Sequence, residues 1–262
     1  METIQIPDRI KRMIGADYTI DQIGMSSASV LLFPKQVLKI QEVGEEARRE
    51  VQVMEWLRGK LPVPEVICYE EKEGKSYLLM SRLPGQMVCE KDYMKNPEHL
   101  VSVLAEGLTM LWRTDLADCR FDSSIEKKLQ MAAYQIDRGL VDLDNVEPET
   151  FGEGGFQNPE KLLEWLIQNK PKEEYVLSHG DFCLPNIFAK DGRISGFIDL
   201  SKMGYGDKYQ DIALCYRSLK HNMEGRYGGE WKSFHPDKLF DALHIRPDWD
   251  KIRYYILLDE LF

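Results

Sequence analysis

The stretch LSHGDFCLPNIFAKDGRISGFIDLS, residues 177–201, places Asp181, Asn186 and Asp199 close together among apolar residues. A solvated loop has no need of that apolar setting, so the acids and the apolar residues require one explanation. Asp191-Gly192 at its centre is the strongest short hairpin signal a sequence carries, because both turn positions need positive φ. With those two residues as the turn, 190 pairs with 193 and the ladder runs back until 186 faces 197. Asp199 then sits two residues beyond that pair, diagonal to Asn186 at the open end of the hairpin. A carboxylate beside an amide oxygen is a hard-oxygen site suited to Mg²⁺, which takes few protein ligands and completes its shell with phosphates and water. Asp181 lies five residues before Asn186, in the loop entering the hairpin. That D-x-x-x-x-N spacing matches the catalytic loop of kinases, in which the aspartate receives the hydroxyl proton and the asparagine binds metal.

Working outward, the first third of the chain reads as strands. TIDQIG and SVLLF flank a short polar turn, and QVLKI follows Pro34-Lys35. EVICYEE and SYLLMSR, joined through KEGK, read as a second hairpin. Between them, residues 45–58 switch to helical spacing with Ala47, Val51, Met54 and Leu57 apolar. Glu50 shares the face of Ala47, Met54 and Leu57, and a carboxylate on a buried face needs a partner. Lys39, inside the apolar strand VLKI just upstream, is the natural one. LPGQ, residues 83–86, carries the hinge signal.

Beyond residue 96 the pattern is helical. Leu100, Leu104, Leu108 and Leu111 form the stripe of a buried helix. Ser123 with Glu126 reads as a capping box for a helix carrying Ile125, Leu129, Ala132 and Ile136. Asn158-Pro159 opens another helix, and Asp248 caps the last, with Ile252, Tyr255 and Ile256 apolar. The expected fold is α+β and bilobal: residues 1–83 form a small β-rich lobe and residues 84–262 a larger, mainly helical one.

Composition narrows the function. The 262 residues are 43% hydrophobic and 30% charged, with a formal net charge of −10. No Lys/Arg run supplies the basic patch that nucleic acid requires, and no apolar run approaches the roughly 20 residues that span a bilayer. METIQIPDRIKRMIG lacks the apolar core of a signal peptide. Five dispersed cysteines without CxxC spacing fit neither a disulfide framework nor a zinc site. The expectation is a cytoplasmic protein, monomeric or weakly dimeric, acting on small molecules.

HGDFCLPNIF followed by GFIDL, GDKYQDIAL and the terminal YYILLDELF resembles the aminoglycoside 3′-phosphotransferases, enzymes with a protein-kinase-like fold. The likeness runs through nearly the whole chain. It implies an ATP-dependent transfer of the γ-phosphoryl group to a hydroxyl of a kanamycin- or neomycin-type antibiotic, conferring resistance. Asp181 matches the catalytic base, Asn186 and Asp199 the Mg²⁺ ligands, and Lys39 with Glu50 the lysine–glutamate pair that positions the phosphates. Ser26, in the small-residue loop GMSSAS, matches the loop over the phosphates. Ser81 and Leu83 match the segment offering backbone hydrogen bonds to adenine.

Aminoglycosides carry several ammonium groups, so carboxylates are expected around the acceptor: Asp259, Glu260 and the carboxylate of Phe262, with Glu147, Glu149 and Glu153 of NVEPETFGEGG. Well-known relatives differ at three places. They have a tyrosine where Val37 stands and an arginine where Lys202 stands, and some have acids near His221 and Asn222. The segment 225–236 is also longer here. Two alternatives stay open: a kinase of another cationic or polyhydroxy metabolite, and a nucleotide-binding pseudokinase. A protein kinase fits less well, because no long activation segment with A-P-E follows Asp199.

Overall fold

The computed structural model describes residues 5–21, 28–229, 231 and 234–262. Among the described residues the chain divides into two compact units, Met1–Glu90 with Pro185–Lys202, and Lys91–Leu184 with Met203–Phe262. The break expected at 83/84 thus falls after Glu90. The stretch 177–201 is itself shared, passing from the second unit to the first after Leu184.

The first unit opens with a short helix α1 (Asp8–Lys11), then β1 (Thr19–Ile20), β2 (Ser29–Leu32), β3 (Gln36–Glu42), α2 (Glu45–Leu57), β4 (Val66–Lys72), β5 (Lys75–Ser81) and β6 (Gln86–Met87). Five of these strands form an antiparallel sheet in the order β1-β2-β3-β5-β4. The KEGK hairpin is present, with Lys72 opposite Lys75 and positive φ at Glu73 and Gly74. Apolar side chains on one face of this sheet make a core of Leu31, Phe33, Leu38, Ile40, Tyr77 and Leu79 with Ile10. Helix α2 buries Ala47, Glu50, Val53, Met54 and Leu57. Val53, not Val51, joins the buried stripe, while Glu50 does lie on it.

The same unit takes back β8 (Ile187–Lys190) and β9 (Arg193–Phe197), which with β6 form a three-stranded sheet in the order β6-β8-β9. Lys190 faces Arg193 across Asp191 (φ 52°) and Gly192 (φ 79°), the two positive-φ positions of a type I′ turn. The register beyond the turn differs from the expected one. A bulge inserts Ser195, so Ile187 rather than Asn186 faces Phe197, and the Ile198 N–H donates to the Asn186 carbonyl at 3.0 Å. Ser195 is drawn aside by its own hydroxyl, which donates to the Pro84 carbonyl at 2.6 Å. Gly85 packs so closely on Ala189 that an added Cβ would lie 2.1 Å from that residue's carbonyl oxygen.

The second unit contains α3 (Lys91–Met94), α4 (Pro97–Trp112), α5 (Ile125–Asp137), α6 (Pro159–Gln168), β7 (Tyr175–Ser178), β10 (Gly204–Asp207), α7 (Lys208–Met223), α8 (Lys238–Leu243) and α9 (Trp249–Asp259). Strands β7 and β10 pair antiparallel, with Ser178 opposite Gly204. The leucine stripe of α4 is fully buried. Asn158 and Asp248 cap α6 and α9, accepting from the N–H groups of Lys161 and Lys251. The cap of α5 is Ser124 instead of Ser123: its hydroxyl accepts from the Lys127 N–H, while the Ser123 N–H is drawn to the Tyr205 carbonyl.

Candidate active site

In the first unit, Lys39 points from the middle of β3 toward α2. Its Nζ donates to Glu50 Oε2 at 2.8 Å and to Asp199 Oδ1 at 3.1 Å. One ammonium thus joins the strand, the helix and a residue 160 positions away at the base of the β8–β9 hairpin. The Lys39 side chain is 13% exposed and that of Glu50 3%, whereas Asp199 is 43% exposed. Burial opposes the charge on Lys39, but Glu50 and Asp199 outweigh it and hold the lysine above its ordinary range. Burial pushes the Glu50 carboxyl upward, and Lys39 pulls it back. The charged ammonium is what makes a buried Glu50 carboxylate tolerable.

Asp199 adopts φ 57°, a left-handed conformation that aspartate tolerates better than most residues but that still costs energy. Asn186 ends a single 3₁₀ turn, Leu184–Asn186, directly before β8. With Ile198 bonded to the Asn186 carbonyl, Asp199 follows one residue later. An amide oxygen and a carboxylate at one hairpin base suit Mg²⁺. No group of three or more His, Cys, Asp or Glu able to hold a metal occurs among the described residues.

The segment expected to meet adenine is partly committed elsewhere. The Ser81 N–H donates to the Glu65 carbonyl at 2.9 Å, and its hydroxyl accepts from the Glu65 N–H at 2.8 Å. Leu83 packs its side chain against Gly196, where an added Cβ would lie 2.5 Å from Leu83 Cδ1. Val37 pairs with Leu32 and Met80 in the sheet. Ser26 lies outside the described residues.

In the second unit, Asp181 follows β7 in a loop whose backbone hangs on one buried carboxylate. Asp211, on α7 and 0% exposed, accepts from Ser178 Oγ at 3.1 Å, the His179 N–H at 2.7 Å and the Gly180 N–H at 3.0 Å. Burial raises the Asp211 carboxyl against the opposing pull of His179 and these donors. Gln210 Nε2 adds a bond to the Gly180 carbonyl at 3.0 Å, and Ser218 Oγ accepts from the Leu184 N–H at 3.0 Å. The loop carrying Asp181 is therefore clamped on both sides by α7. Asp211 carries a function that no motif spacing in the sequence points to. Its signal was an acid inside the apolar helix pattern of GDKYQDIAL, the same signal that exposed Glu50.

Three of the carboxylates expected to receive a polycation, Asp259, Glu260 and Glu147, have internal partners. Arg217 of α7 binds Asp259 through Nη2 and Glu260 Oε1 through Nη1, the latter at 2.9 Å. Glu260 Oε2 accepts from the Glu147 N–H at 2.6 Å. Glu260, 6% exposed, is thus a buried anchor between α9 and the 147 loop, its carboxyl raised by burial and drawn back by the Glu147 amide and Arg217. Glu147 Oε1 in turn accepts from Arg226 Nη1 at 2.8 Å and lies 3.1 Å from His221 Nε2. Glu149 and Glu147 line a cavity of about 550 Å³ with Phe156, Trp165, Tyr216 and Trp249. The Phe262 ring lies 5.8 Å from Lys128 Nζ.

Residues 30–255 match the model of the phosphotransferase enzyme family. The chain is 42% identical over 221 residues to an aminoglycoside 3′-phosphotransferase of Enterococcus faecalis, covering 83% of this chain and 79% of that protein. It is 41% identical over 221 residues to one from Staphylococcus aureus, covering 83% and 80%. Among solved structures, that of an aminoglycoside-3′-phosphotransferase of type VIII superposes with a TM-score of 0.78 at 24% identity, covering 96% of both chains. A Streptomyces rimosus aminoglycoside phosphotransferase in complex with ADP and streptomycin gives 0.77 at 23% identity, covering 93% and 92%.

Proposed function

We infer, because this chain belongs to the phosphotransferase enzyme family, that it is an aminoglycoside 3′-phosphotransferase, an antibiotic-modifying kinase that transfers the γ-phosphoryl group of a nucleoside triphosphate to a drug hydroxyl. The observation that carries the chemistry is Lys39 bridging Glu50 and Asp199. Phosphoryl transfer asks the protein mainly for positioning and for cations on the phosphates. Lys39, steered by the buried Glu50, supplies a fixed ammonium for the nucleotide phosphates. Asn186 and Asp199 would hold Mg²⁺, which when bound neutralises charge developing on the transferred group. ATP is the proposed donor, with the Leu83 backbone on the adenine and the Ser26 loop over the phosphates; the Ser81 amide, already bonded to Glu65, is left out of this role.

In this reading the small β-rich unit and the larger helical one are the two lobes of a kinase-like fold. Asp181, whose loop Asp211 holds in place, orients the acceptor hydroxyl. As that oxygen bonds to the γ-phosphorus, the bond to the bridging oxygen of the leaving nucleoside diphosphate breaks, and Asp181 receives the hydroxyl proton. The acids of the second unit, Asp259 and Glu149 with the Phe262 carboxylate, are proposed to meet drug ammonium groups, with Glu147, already paired with Arg226, beside them and Glu260 supporting them from beneath.

The test is kanamycin- or neomycin-dependent release of ADP from Mg-ATP by the wild-type chain, set beside Asp181→Asn. The asparagine variant should still bind nucleotide and lose on the order of 10² to 10⁴ in kcat. No drug-dependent turnover by the wild type refutes the activity, and near-normal turnover by Asp181→Asn refutes the role of Asp181.

A further inference from the structure

In the second unit, carboxylates and cations form one unbroken chain. Asp259 and Glu260 share Arg217, Glu260 holds the Glu147 amide, and the Glu147 carboxylate is capped by Arg226 beside His221. Two of the three acids keep surface: the side chains of Glu147 and Asp259 are 24% and 23% exposed, against 3% for Glu260. Glu147 also borders the cavity of about 550 Å³, a size suited to a small ligand, whose walls include Phe156, Trp165, Tyr216 and Trp249. Glu147 thus stands at the border of that space with its carboxylate already engaged by Arg226.

The second partner of Glu147 is not a competing charge. Burial lowers the imidazole of His221, and Arg226 and Arg217 lower it further against the pull of Glu147. Arg226, with its side chain 40% exposed, is the permanent cation on Glu147. An ammonium arriving from solution must displace this guanidinium or share the carboxylate with it, whereas a hydroxyl can hydrogen-bond to an oxygen still held by Arg226. Specificity of this kind comes from lowering the attraction for one ligand as much as from raising it for another.

We propose that Arg226 is a specificity-determining residue of the drug site: by neutralising Glu147 it favours aminoglycosides that present a hydroxyl, not an ammonium, to this carboxylate. The proposal rests on the functional reading given above and deepens it. It has a readout that a purely structural role for Arg226 would not move, namely a ratio between two drugs differing at a single substituent.

Two such pairs are neomycin against paromomycin and kanamycin B against kanamycin A. In each, one ammonium of the first drug is a hydroxyl in the second. Steady-state KM values for all four are measured with the wild type, Arg226→Gln, Arg226→Lys and Arg138→Gln, at saturating Mg-ATP. Freeing Glu147 should lower KM for the ammonium member of at least one pair relative to its partner by about fivefold, the upper end expected of a partly exposed charge pair. The lysine variant should keep the wild-type ratio because the cation is retained. Arg138→Gln, an exposed site on the C-cap of α5 making the same change in net charge, should keep it as well.

Ratios in Arg226→Gln within threefold of wild type for both pairs overturn the proposal, and so does an equal shift in Arg138→Gln. Absence of turnover with all four drugs in the wild type overturns the functional reading instead, and this inference with it.

Discussion

Replacing Lys39 by methionine separates what the lysine does for stability from what it does for chemistry. The side chain keeps its length and apolar stem, but Glu50, 3% exposed, loses the ammonium 2.8 Å away. Removing one member of a buried ion pair costs about 3–5 kcal/mol, because the remaining charge is left without compensation. At about 2–4 °C per kcal/mol for a chain of this size, the fall in Tm is on the order of 10 °C. Asp199, 43% exposed, recovers hydration and adds little.

The loss has a definite pH dependence. Burial already raises the Glu50 carboxyl, and without the pull of Lys39 the neighbouring Asp199 and Glu46 push it the same way. A carboxyl whose pKa is higher in the folded than in the unfolded state supports folding below its unfolded value, about 4.3, and loses that support as pH rises. Lys39→Met should therefore be destabilised more at pH 8 than at pH 5. Adding Glu50→Gln should return most of the stability at pH 8 while restoring no phosphotransfer. Urea denaturation of the wild type, both single variants and the double variant at the two pH values closes the cycle. A loss in Lys39→Met relative to wild type that is the same at both pH values, or a double variant no more stable than Lys39→Met at pH 8, would refute the reasoning.

Two more perturbations probe the framework of the site. Asp211→Asn leaves one oxygen for three donors and sets an NH₂ group against a backbone N–H; a cost of about 2–3 kcal/mol in urea and a fall in kcat near 10²-fold from displacement of Asp181 are expected, with nucleotide affinity by calorimetry little changed. Wild-type kcat in that variant would remove Asp211 from the positioning of the loop. Gly85→Ala puts a Cβ 2.1 Å from the Ala189 carbonyl oxygen at φ +89°, so a loss above about 2 kcal/mol in unfolding free energy by urea denaturation is expected, and a loss below half of that would mean that β6 is not pressed on β8 as described.

Much of the local structure was legible without coordinates because it depends on neighbours in the chain. Asp191-Gly192 and Glu73-Gly74 specify tight turns through the positive φ that each pair of positions must adopt. Asn158 and Asp248 start helices because their side chains satisfy an N–H three residues on. Glu50 betrayed a partner by sitting on an apolar helix face. The stretch 177–201 announced its chemistry through the order and spacing of Asp181, Asn186 and Asp199 alone.

Tertiary structure decided which partners those residues take. Lys39 finds Asp199 across 160 positions, a pairing that depends on how β3 and the β8–β9 hairpin pack. Ser195 breaks the expected register because its hydroxyl is captured by Pro84, and turn chemistry is blind to a distant carbonyl. Charge was the hardest property to read. Asp259, Glu260 and Glu147 look in sequence like anions awaiting a polycation, yet Arg217 and Arg226 are folded onto them. A string of residues shows which charges exist; only packing, which determines the distances and the water between them, decides which of those charges a ligand meets.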